Sequence, residues 1–251
     1  MCWAAEPGDL GYQGRFGRLA RTGYNGAMAN HAYASIWCPE FGADVQLERL
    51  GQFLSTVPFS ATRQGFTGLA VRAVGPAETP LIEPDLRARP VDAAAIIEVA
   101  REFHNSDCAY EVQAFWDLEI FDATAEKWKS QPELLEIFCY GEEYEDGVWK
   151  ERGHFEVDIG LEHHFTGHGR LLGFQNGQVA RPEHPDEARF FELMTQPANL
   201  QEYRDKTHEN IRKLLDWTRR IERAIPVQTL RLWSEGEENF EARIEEVLAA
   251  R

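Results

Sequence analysis

From Gly153 to Phe165 polar and apolar side chains alternate. His154, Glu156, Asp158, Glu162 and His164 fall on one side of an extended chain, and Phe155, Val157, Ile159, Leu161 and Phe165 on the other. A polar turn follows, Thr166-Gly167-His168-Gly169-Arg170. Three imidazoles and three carboxylates therefore lie within about 25 Å of chain, at roughly 3.3 Å of rise per residue. Imidazole nitrogen and carboxylate oxygen are the ligands that zinc, manganese and iron(II) take. Alternate residues on one strand face stand about 7 Å apart, too far for neighbours to share one ion. The metal ligands to expect are thus Glu162 or His164 at the strand end with His168 beyond the turn, because Gly167 and Gly169 let the chain fold back. A third protein ligand from elsewhere, His184, Glu119 or Glu142, would close such a site. A divalent ion there, zinc or manganese, would make the protein a metal-dependent hydrolase.

A different chemistry needs no metal. Asp117, Glu119, Glu136, Glu142, Glu156 and Glu162 fall in strand-like segments, and two carboxylates brought close together split their pKa values into an acid and a base. Trp116, Trp128, Tyr140 and Trp149 would be the flat platforms that sugars prefer. Nucleophilic catalysis has little support: there is no GxSxG elbow, and Cys139 sits between Phe138 and Tyr140 as a packed thiol would. The Gly141 to Gly147 segment is too acidic to cradle a phosphate.

Charge points to a third possibility. The chain of 251 residues carries a formal net charge of −16. Between Cys108 and Phe165, fifteen acidic residues face four basic ones, with aromatics interleaved. Such a surface repels phosphate backbones, so nucleic acid is not the expected partner. It attracts cations. A binding or regulatory protein would use this acidic, aromatic-lined sheet to engage a basic partner protein or a cationic ligand, through Glu119, Tyr140, Glu142, His154, Glu156 and Asp158. This reading is preferred, since no catalytic signature is present, and the metal-dependent hydrolase is the alternative.

Positioning these residues requires an α+β fold, an antiparallel sheet covered by amphipathic helices. Residues 1–27 hold six glycines with Arg15, Arg18 and Arg21 and no period, which reads as a flexible leader, and a start at Met28 would cost the fold nothing. Residues 28–107 read β-α-β-(β)-α: a strand from His31 to Cys38, a helix capped by Asp44, a strand from Phe66 to Val74, a proline-punctuated edge segment and a helix capped by Asp92. Residues 108–180 form a three-strand meander. Its first link, Ala123 to Pro132, is expected to be a loop with a helical turn, its second a hairpin at Asp146-Gly147, and its last strand runs from Val148 to Phe165. Residues 181–251 are helical with one strand, Val227 to Trp233, on the same core. The long helix from Leu200 to Ile225 buries Ile211, Leu214, Leu215, Thr218, Ile221 and Ile225, and its basic side would pack beside the acidic sheet.

Four cysteines without CxxC spacing suit a reduced cytoplasmic setting. No run of 18 apolar residues is present, so a membrane span is not expected.

Overall fold

A computed structural model describes residues 30–122, 125–168, 171–172 and 185–250. The predicted leader, residues 1–27, lies outside the described residues, as does His184.

The architecture is α+β. Six strands form one antiparallel sheet: β1 (His31–Trp37), β2 (Gly68–Ala73), β3 (Cys108–Asp122), β4 (Lys127–Tyr140), β5 (Phe155–Leu161) and β6 (Thr229–Ser234). Their order is β2-β3-β4-β5-β1-β6. All three predicted segments therefore contribute to a single sheet. The helices are α1 (Ala43–Leu54), α2 (Ala93–Arg101), α3 (Trp149–Arg152), α4 (His163–Thr166), α5 (Pro185–Met194), α6 (Pro197–Ala224) and α7 (Phe240–Ala249).

Two-residue periodicity decides which face each strand buries. On β3, Tyr110, Val112, Ala114, Trp116 and Leu118 are buried while the residues between them are half-exposed. Ala32, Ala34 and Ile36 of β1, Leu135, Ile137 and Cys139 of β4, and Phe155, Val157 and Ile159 of β5 continue the same apolar layer. The long helices cover it. Phe53 of α1 stacks on Phe155 at 4.6 Å between ring centroids, and Trp217 of α6 lies 5.8 Å from Trp116. Each such side chain removed from water contributes about 1.5–3 kcal/mol. Helix α6 buries the predicted Ile211, Leu214, Thr218 and Ile221, and adds Tyr203, Asn210 and Trp217. Its Lys206 and Lys213 meet the acidic sheet at Glu119, and Lys213 also donates to the Asp117 carbonyl at 3.2 Å.

Four boundaries differ from the sequence pattern. Strands β3 and β4 stay paired as far as Asp122 and Lys127, and there Asp122 Oδ1 accepts the Ala125 N–H at 3.0 Å and Oδ2 pairs with Lys129 at 2.7 Å. Trp128 and Pro132 thereby stay inside β4. Proline is tolerated because β4 meets β5 only from Glu136 to Cys139, so Pro132 has a strand on one side alone. Val148 to Arg152 is a helical turn between Gly147 and Gly153, both at positive φ, and β5 starts only at Phe155. A side chain at Gly153 would stand 2.7 Å from the Ile36 backbone nitrogen. Strand β5 also ends early, at Leu161. Its partner β1 begins at His31, and beyond that point the Glu162 carbonyl accepts the Phe165 and Thr166 N–H groups, closing α4. Finally, Gly42 rather than Asp44 occupies the α1 N-cap, whereas Asp92 caps α2 as expected, accepting the Ala95 N–H at 2.9 Å.

Among the described residues no helix is long and apolar enough to cross a membrane. Cys38, Cys108 and Cys139 are free and buried, and burial pushes the Cys38 and Cys108 thiols up to about 11.

Candidate functional site

The second face of the sheet carries the polar half of each alternation. Strand register lines these residues into two rows. One runs Gln113, Glu136, Asp158, Tyr33, Trp233, and the next runs Glu111, Phe138, Glu156, Ser35, Arg231. Four carboxylates, Glu111, Glu136, Glu156 and Asp158, thus share one surface with Phe138, Tyr33 and Trp233.

Glu156 lies deepest, 3 % exposed. Arg152 Nη1, four residues back on α3, donates to Oε1 at 3.2 Å, and the Tyr140 hydroxyl donates to the same oxygen at 3.4 Å. The other oxygen, Oε2, is buried without a hydrogen-bond partner among the described residues. Burial raises the pKa of this carboxyl, with Arg152 and Tyr140 opposing in part. Its neighbour Glu111 is pushed up to about 7 by burial against the pull of Arg72, which donates from Nε to Oε1 at 3.1 Å. Both groups therefore hold negative charge at a cost that a bound cation would lower.

Asp158 is placed by a bulge. Ala32 pairs with Gly160 and Tyr33 with Asp158, which leaves Ile159 unopposed, and Gly160 takes φ +103°. The Asp158 carboxylate then accepts the Gly160 N–H at 2.8 Å and meets His31 Nδ1 at 2.7 Å. Tyr33 stacks on Trp233 at 4.4 Å, and its hydroxyl donates to Glu235 at 3.1 Å. Burial, Asp158 and Glu235 together raise the Tyr33 pKa, so the phenol keeps its proton.

The other residues singled out from sequence divide. Tyr140 joins Glu156, as described. Glu119 is held elsewhere, by Lys206 at 3.1 Å and Lys213 at 3.7 Å on α6. Glu142 is exposed in the turn after β4, where its carbonyl accepts the Trp149 indole N–H. His154 is a packing residue. Its ring stacks between Phe41 at 4.3 Å and Trp149 at 4.4 Å, Nδ1 accepts the Cys38 N–H at 2.9 Å, and burial pushes it down to about 4. Of the sugar platforms, Trp116 is in the core and Trp128 stacks on Tyr203, while Trp149 lines an open pocket.

Glu162, His164 and His168 do not converge. The Glu162 carboxylate accepts the Gly236 N–H at 3.0 Å, and His164 is buried in α4 with its carbonyl bonded to Asn210. His168 Nε2 lies 2.8 Å from Glu187, and its backbone N–H donates to the Tyr203 hydroxyl. Its ring meets His163 edge-on at 5.6 Å. His163, half-buried, is pushed down to about 4 by burial and by His168 and His31. Among the described residues no three His, Cys, Asp or Glu side chains form a group that could hold a metal ion.

Several site residues escaped the sequence reading. Tyr33 and His31 carried a signal, the alternation of HAYASIW, which places both on the polar face. Glu111 carried the same signal on β3, while Glu136 on β4 was already among the paired carboxylates. Glu187 carried none, since only the fold brings α5 to His168.

No family model, curated protein or solved structure matches the chain.

Proposed function

We propose that the protein is a binding or regulatory protein, and that the polar sheet face receives a cationic group, an arginine or lysine side chain of a basic partner. The observation that carries this reading is Glu156. A buried carboxylate with one oxygen unpartnered costs free energy, and a positive donor placed against it would recover part of that cost. Glu111, Glu136 and Asp158 add negative potential around it. Phe138, Tyr33 and Trp233 offer ring faces on which a weakly hydrated guanidinium stacks well. A net charge of −16 would speed the approach of a basic partner and disfavour nucleic acid.

A calorimetric titration with a short peptide of alternating glycine and arginine tests the reading. Binding should weaken as salt is raised, because exposed charges are screened beyond about 10 Å at 0.1 M. Glu156→Gln should weaken it by about tenfold at constant salt. Affinity untouched by both changes would refute the proposal.

A further inference from the structure

At the β6 edge the same face changes character. Trp37, Trp149, Gln228, Thr229 and Arg231 line an open cleft of about 390 Å³, within the usual size of small-molecule sites. Strand register builds it: Trp37 pairs with Thr229, and Arg231 stands two residues further along β6 on the same face. Trp149 enters from α3, with one ring face packed on His154.

None of these five side chains is acidic, in a chain with 42 acidic residues. The Arg231 guanidinium lies over Trp37 at 5.4 Å from the ring centroid and over Trp233 at 5.9 Å. Among the described residues its side chain makes one long hydrogen bond, from Nη2 to the Glu151 carbonyl oxygen at 3.4 Å. Lys150 Nζ stands 5.9 Å from the Trp149 ring centroid. Neither cation is in an ion pair among the described residues. Stacking restricts the guanidinium plane while its N–H groups lack an anionic partner, which is the preorganised half of a bidentate anion contact.

We infer that this cleft binds a planar aromatic anion, with the ring against Trp37 and Trp149 and the anionic group on Arg231. The indoles supply apolar faces for the ring, and Gln228 and Thr229 supply hydrogen bonds at its margin. Charge complementarity selects the anion, because the lining carries the Arg231 guanidinium and no acidic side chain. The inference is independent of the cation reading of Glu156, whose carboxylate lies outside this lining.

Calorimetry on the full-length protein tests it with 2-naphthoate, its neutral alcohol analogue 2-naphthalenemethanol, and the saturated anion cyclohexanecarboxylate. Naphthoate should bind at least about tenfold more tightly than either. Arg231→Gln should lower naphthoate affinity by about tenfold and leave the alcohol unchanged, while Arg231→Lys, which keeps the charge but not the fork, should fall between. Adenosine monophosphate is the second arm: tighter binding with the same dependence on Arg231 would assign the anion as a phosphate and uphold the class. Equal affinity for naphthoate and its alcohol, no naphthoate binding at millimolar concentration, or indifference of naphthoate to both Arg231 variants would overturn the inference.

Discussion

Arg152 Nη1 meets Glu156 Oε1 at 3.2 Å, and the pair spans a single helical turn's worth of sequence from α3 to β5. The contact is lopsided: Glu156 is almost wholly buried, whereas the Arg152 side chain is 38 % exposed. A half-solvated guanidinium cannot compensate a desolvated carboxylate in full. Glu156→Gln should therefore stabilise the unliganded protein above neutral pH, by about 0.5–2 kcal/mol, even as it weakens cation binding. Urea denaturation at pH 8 reads the first effect, and a lower midpoint for the variant would contradict it.

Acid stability follows from His154 and His163, both held near 4 against an ordinary value of 6.5. A base whose folded pKa is lowered binds fewer protons folded than unfolded. Its contribution is complete above about pH 6.5 and declines as pH falls toward 4. Unfolding free energy should drop across that window. In a proton–nitrogen NMR titration, the ring signals of His154 should stay at their neutral positions down to pH 5, and a midpoint near 6.5 would contradict the packed site.

Glu111 works in the opposite sense. With its folded pKa raised from 4.5 to about 7, its favourable contribution is complete below about pH 4.5 and is lost as pH rises through 7. Glu111→Gln should raise stability at pH 8 and have little effect at pH 4. A thermal-melt series at the two pH values checks this, and an equal shift at both would exclude the titration as its cause.

Asn210 ties α6 to two other elements. Its side chain accepts the Glu119 N–H at 2.8 Å and donates to the carbonyls of Glu119 at 3.0 Å and His164 at 3.1 Å. Asn210→Ala leaves those groups buried without that partner, at a cost of about 2–4 kcal/mol. The urea midpoint should fall accordingly, and a change below about 0.5 kcal/mol would show that water replaces the amide.

Two glycines should respond oppositely to alanine. A β-carbon at Gly141 would stand 2.6 Å from the Cys108 carbonyl oxygen and nearer still to that of Ser106, whereas one at Gly75 would meet nothing within 4 Å. Gly141→Ala should fail to accumulate as folded protein. Gly75→Ala should be neutral or stabilising by up to about 1 kcal/mol, through lost freedom in the unfolded chain. Comparable melting temperatures for the two variants would contradict the crowding at Gly141.

The sequence by itself determined what local periodicity can encode. The meander, the amphipathic α6, the Asp92 cap and the polar face of Glu156 and Asp158 were legible, because side chains two apart on a strand share a face wherever the strand ends up. It also gave the charge that favours a cationic ligand. Tertiary structure decided everything that depends on who stands opposite. Partner length cut β5 at Leu161 and turned His163 and His164 into a helix, which separated the presumed metal ligands. The α6 lysines took Glu119 out of the acidic face, and the Phe41 and Trp149 rings enclosed His154. Trp37 and Arg231 became neighbours only through the pairing of β1 with β6, nearly two hundred residues apart in the chain. Such contacts are set by the packing of the whole core, and no pattern within a short window of sequence records them.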